Sequence, residues 1–160
     1  MNFYLYFATG LIPLVTGFIW YNEKVFGTAW MKASGFDPSK AGKSNMGLIF
    51  LLTYVFGVML SVTISSMAIH QISVGSIFAD IPGSDQPGSD LMLFMEKYGT
   101  LYRTFKHGAL HGFIGALFFA MPIIGTISLF ERRGAKYIFI HTGYWAITML
   151  LMGGVLCQWM

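Results

Sequence analysis

Four stretches of this chain are apolar for long enough to cross a lipid bilayer, and that limits everything else it can be. A crossing helix needs about 20 apolar residues, with a range of roughly 17 to 25. The runs lie at about residues 3–21, 46–72, 106–130 and 137–159. Hydrocarbon offers no partner for an unpaired N–H or C=O, so each run is predicted to be a helix. The expected fold is all-α: an integral membrane four-helix bundle, one domain over residues 1–160, with one or two short interfacial helices. Charge content agrees. Only 11% of the residues are charged, whereas a water-soluble domain uses about 25% to cover its surface.

The second run exceeds what a crossing requires, which implies tilt or a projecting end. Pro13 and Pro122 lie inside the first and third runs, and Pro122 with Gly125 is expected to bend the third in its later half. No Lys or Arg precedes the first run and no A-x-A-like site follows it, so it reads as a retained span rather than a signal peptide.

Positive charges set an orientation. Lys24, Lys32, Lys40 and Lys43 lie between spans one and two, and Arg132, Arg133 and Lys136 between spans three and four. The opposite side receives only Lys97, Arg103 and Lys106. The positive-inside rule then puts both ends of the chain outside a bacterial inner membrane and the first and third loops in the cytoplasm. These cations are scattered between apolar runs, so the formal charge of +3 does not indicate a nucleic-acid partner.

The stretch "WYNEKVFGTAW", residues 20–30, gathers aromatics around a short polar patch. Trp20 and Tyr21 are expected to end the first span at headgroup level, where amphipathic rings sit. Phe26 and Trp30 stand four apart, which predicts an interfacial helix over about 25–33 with membrane lipids as its partner. Gly35 and "DPSK" then break it. The outer loop, about 73–105, repeats Pro-Gly-Ser-Asp within residues 81–90, a turn signal. Its Asp80, Asp85 and Asp90 lack the dense ligand spacing of a calcium loop. Residues 91–105 read as a second amphipathic helix.

Helices associate in lipid through small residues that let backbones approach. Gly57, Ser61 and Ser65 form such a stripe on span two, and Gly108, Gly112, Ala116 and Ala120 another on span three. The simplest expectation is that the two stripes face each other; otherwise one faces a second copy of the chain.

No Asp, Glu, Lys or Arg lies deep in any span, which argues against a pump or ion-coupled transporter. Cys157 is the only cysteine, so an intrachain disulfide and a cysteine metal cage are both excluded. It reads as a buried small hydrophobe. The eleven methionines are dispersed and read as packing. No phosphate loop, nucleophile elbow or H-E-x-x-H motif occurs. Ser65 and Ser66 precede His70 without an acid to complete a triad.

The histidines are the informative polar residues. In "KHGALHG" the spacing puts His107 and His111 on one helical face, and antiparallel neighbours bring His70 to the same depth. Three imidazoles from two helices suit a transition metal such as zinc or copper, or a haem iron. Alternatively, each bonds a carbonyl or sits among headgroups. His141 enters from the other end and is expected to lie far away.

Gly17-Phe-Ile-Trp20-Tyr21 and Phe26-Gly27-Thr-Ala-Trp30-Met31-Lys32 resemble the opening of the domain of unknown function 1761 family, small bacterial multi-pass membrane proteins. The resemblance implies about four spans, a Trp-Tyr pair ending the first, a glycine-rich third span and a tryptophan near the C-terminus. It implies no activity. The central loop, His107 and His111 depart from that pattern.

The leading functional expectation is a noncatalytic packing or accessory subunit that self-associates or joins a larger membrane complex. Shortage of catalytic polar groups and surplus of small-residue stripes motivate it. Alternatives are a metal- or haem-binding redox protein using His70, His107 and His111, and a passive conduit or binder for a small lipophilic molecule with a polar-lined cavity.

Overall fold

A computed structural model describes residues 2–40, 42 and 44–160; Lys43, one of the seven cations counted above, lies outside them. Among the described residues every regular element is helical: α1 Tyr4–Thr9, α2 Ile12–Trp20, α3 Thr28–Ser34, α4 Met46–Ala68, α5 His70–Ile77, α6 Asp90–Tyr98, α7 Phe105–Gly115, α8 Met121–Phe130 and α9 Ala135–Trp159. α7 and α8 form one rod, Phe105–Phe130, joined through a π-helical turn at Ala116–Ala120. The π turn lies immediately before Pro122, whose missing N–H removes one bond of the regular ladder.

Three helices are long and apolar enough to cross a membrane: α4, the α7–α8 rod and α9. The Tyr4–Trp20 segment makes a fourth only when counted with its continuation Glu23–Ser34, from which it is bent by 56°. At 1.5 Å per residue the first part alone reaches about 26 Å, slightly less than the hydrocarbon thickness. α9 is the central element. Half of its most apolar window is buried, against 17% in the other two, and Met152, Leu156 and Cys157 are fully enclosed. The outward faces of α4 and of the α7–α8 rod carry large exposed apolar side chains, with Phe118 in the π turn and Phe130 in α8 at 72% and 87% exposure. Such faces suit lipid and not water.

Small residues bring the helices close, but not in the expected pairs. Gly57 lies against the Gly10 backbone of α1, Ser61 receives a hydrogen bond from Thr9 (2.8 Å), and Ser65 bonds the Tyr6 hydroxyl (3.0 Å). The span-two stripe therefore serves the first helix. Gly108 and Gly112 meet the Gly153 and Met149 backbone of α9 instead. A chain with four packed elements lets each stripe find a different neighbour, and two small-residue strips facing each other would have left α9 without close partners. α4 and α7 still touch, through Met67 against Gly115 and through Ala116 beside Ile64 and Ala68 in the core.

The run expected to continue as one helix to Ile72 stops at Ala68. Ile69 is extended (φ −110°, ψ 93°) and 1% exposed, so its side chain is pushed into the core while the chain changes direction. α5 restarts at His70. The central loop is correspondingly more ordered than its turn residues suggest: α5, a series of turns, then α6, capped by the Ser89 hydroxyl accepting from the Met92 N–H (3.3 Å).

Both ends of the chain lie at the same end of the bundle, where the Asn2 N–H donates to the Met160 carbonyl (3.0 Å). The loop from Ile69 to Thr104 shares that end, since Arg103 Nε donates to the Cys157 carbonyl (2.8 Å) and the Phe105 N–H to Gln158 Oε1 (3.0 Å).

Candidate metal centre

α7 begins at the N-cap Thr104, whose hydroxyl accepts from the His107 N–H (3.3 Å). That cap fixes the first turn, and helical spacing then projects His107 and His111 from one face. Their ring centroids are 4.5 Å apart. The break at Ile69 turns His70 toward them, at centroid distances of 5.0 and 5.1 Å. His70 Nε2 and His107 Nε2 are 3.0 Å apart, sharing a hydrogen bond. One nitrogen from each of the three rings falls within 4.8 Å of the others. Metal–nitrogen bonds of about 2.0–2.1 Å separate the ligand atoms of a tetrahedral centre by about 3.3 Å. Small rotations of the imidazoles would therefore close the triangle on one ion. Among the described residues no Asp, Glu or Cys joins the group, and His70 is solvent-exposed.

The loop beside the cluster is tightly tied. Gln71, next to His70 and 9% exposed, donates through Nε2 to the carbonyls of Tyr98 (2.8 Å) and Leu101 (2.9 Å). The Tyr102 carbonyl accepts from the Thr104 N–H (2.8 Å) and from the Cys157 thiol (3.4 Å). These bonds hold Tyr102 in the left-handed region (φ 61°), which costs a residue with a Cβ about 1–2 kcal/mol. The outcome is a ring stacked on His107 (5.1 Å, 19° between planes) and edge-on to His70 (6.4 Å). Neither Gln71 nor Tyr102 carried a sequence signal, because loop residues have no periodicity to reveal which way they point.

His141 is outside the group. Its Nδ1 bonds the Tyr21 hydroxyl (2.7 Å). Trp20 donates its indole N–H to the Ile140 carbonyl (3.1 Å) and stacks on Phe26 (4.3 Å), while Trp30 packs edge-on against Tyr21 (5.7 Å). Trp20 and Tyr21 thus contact α9 and are half-buried, and only Phe26 of the four aromatics is exposed. The aromatic patch works as an internal clasp: it holds the 56° turn against α9.

One known family matches nearly the whole chain. The profile of the family described as "Protein of unknown function (DUF1761)" matches residues 5–157. This chain is a DUF1761 protein. No curated protein and no solved structure matches it. The DUF1761 chain also has a cleft of about 1230 Å³ between α2 and the start of α4, lined by Leu14, Phe18, Ile49 and Phe50 together with Asn22, Glu23 and Lys24.

Proposed function

We propose that this DUF1761 protein is a multi-pass membrane protein that binds one transition-metal ion through His70, His107 and His111. One observation carries the reading: three imidazoles, delivered by a helix break and by two positions on one helical face, converge within 4.8 Å. A free ion fits better than haem. Axial imidazole nitrogens across a haem iron stand roughly 4 Å apart with the macrocycle between them, whereas His70 and His107 touch at 3.0 Å beneath the Tyr102 ring. With the seven-against-three cation bias, the cluster and both chain ends belong outside a bacterial inner membrane. Metal analysis of gently purified protein tests the reading. About one equivalent of a first-row metal is expected, lost in the His107→Ala/His111→Ala double variant; a metal-free protein that takes up none on reconstitution refutes it.

A second reading rests on the cleft. Its mainly apolar lining, with Asn22, Glu23 and Lys24 as its polar and charged members, suits a membrane lipid or another lipophilic molecule, and it is less polar than a conduit would require. Mass spectrometry of solvent extracts should find about one tightly held lipid, displaced by Thr53→Trp, since Thr53 lines the cleft. The accessory-subunit role loses its main motive, because the small-residue stripes are engaged within the chain. The exposed apolar faces in its favour are equally covered by lipid.

A further inference from the structure

Resting on the metal-site reading above, we infer that a divalent ion at the cluster keeps one coordination position open to solvent, and that this position binds a small monodentate Lewis base such as water, azide or a carboxylate. The count of donors carries the inference. One ring nitrogen each from His70, His107 and His111 converges, and among the described residues no carboxylate or thiolate joins them. Tetrahedral structural centres draw all four ligands from side chains, whereas centres with three protein ligands hold water or substrate in the fourth place. The other ring and thiol donors on α9 are committed elsewhere. The Cys157 thiol is buried and donates to the Ala68 and Tyr102 carbonyls (3.4 Å each), and His141 bonds Tyr21.

Exposure shows where the fourth ligand comes from. His70 is exposed and His107 and His111 are half-buried, so the triangle lies open at its His70 corner instead of being enclosed in the core. Tyr102, stacked beside the rings, is itself 58% exposed and does not seal them off. Tetrahedral bonds of about 2.0–2.1 Å lift an ion about 0.7 Å out of the plane of its three nitrogens and aim the fourth position away from them. An ion so placed exchanges that ligand with solvent, and water held there is polarised. Neutral imidazoles leave the ion its charge of two, which draws a small anion more strongly than a neutral molecule.

The test uses the full chain in detergent micelles, stripped of metal and loaded with one equivalent of cobaltous ion, whose visible bands report the ligands around it. Azide titrated into chloride-free buffer should shift those bands in one saturable step, half complete at about 1 mM. Sulfate at the same ionic strength should leave them unchanged. Bands that azide does not move, or that sulfate moves equally, overturn the open position and leave the metal site standing. Uptake of neither cobaltous ion nor zinc removes the site itself. His70→Ala, at the exposed corner, should weaken cobaltous binding about 100-fold or more with helical circular dichroism unchanged. An undiminished affinity overturns the three-imidazole count from which the open position follows.

Discussion

Replacing Gly112 by alanine would put a methyl group where the Met149 carbonyl of α9 already sits, with the Leu150 N–H 3.0 Å away. The obstacle is backbone, so no side-chain rotation relieves it. α7 and α9 must separate or shift along their axes, and overpacking of that kind costs about 1–3 kcal/mol. Alanine recovers part of this, because glycine inside a helix is about 0.5–1 kcal/mol worse than alanine. The net expectation is a loss of about 1–2 kcal/mol. For a chain of this size that lowers the unfolding midpoint by about 2–8 °C. Gly125 is the internal control. It also lies inside a helix, yet a Cβ there meets nothing within 4 Å, so Gly125→Ala should gain the propensity term and raise the midpoint slightly. Thermal unfolding in detergent, followed by circular dichroism at 222 nm, measures both. A Gly112→Ala midpoint equal to or above that of Gly125→Ala would refute the close crossing of α7 and α9.

Two further outcomes can be stated briefly. Among the described residues, Tyr21→Phe removes the one partner of His141 Nδ1, and His141 Nε2 is already buried without one. Stability should fall by about 1–2 kcal/mol, and an unchanged midpoint would show that water serves the imidazole equally well. For topology, Asp85→Cys and Lys136→Cys should react with a membrane-impermeant maleimide from opposite faces of sealed cells, Asp85→Cys from outside. Buried Cys157 keeps the background low, and labelling of both from one face would overturn a membrane crossing by the α7–α8 rod.

Helical class and the positions of α4, α7–α8 and α9 were legible because a bilayer enforces a length and a hydropathy that any such run must meet. The approach of His70 to His107 and His111 was legible for a related reason, since antiparallel spans of fixed rise place chain positions at known depths. What escaped was anything decided by the choice of neighbour. The glycine-serine stripe at Gly57, Ser61 and Ser65 looks the same whether it faces α1 or α7, and only the three-dimensional competition for α9 assigns it. The Ile69 break also has no local signal: no proline or glycine marks it, and it exists because Ile69 is buried and Gln71 bonds the loop carbonyls. Trp20 and Tyr21 followed the membrane-anchor pattern so well that their partners on α9 were invisible.

Packing and site share one helix, which links the two. On α7, His107 and Gly108 are neighbours in sequence, as are His111 and Gly112, so the glycine strip and the imidazole strip lie about 100° apart around the same axis. The glycines fix how closely α7 lies against α9, and that position sets how far His107 and His111 stand from His70. A metal centre holds its ligand distances to within about 0.2 Å, while a methyl wedged between two backbones displaces a helix by roughly 1 Å. Gly108→Ala should therefore weaken metal binding by about tenfold or more although glycine 108 touches no ligand atom. Gly125→Ala, on the same rod but facing open space, should leave affinity unchanged. Equal affinities for the two variants would mean that the imidazoles reach the ion by their own flexibility and that the α7–α9 crossing has no part in shaping the centre.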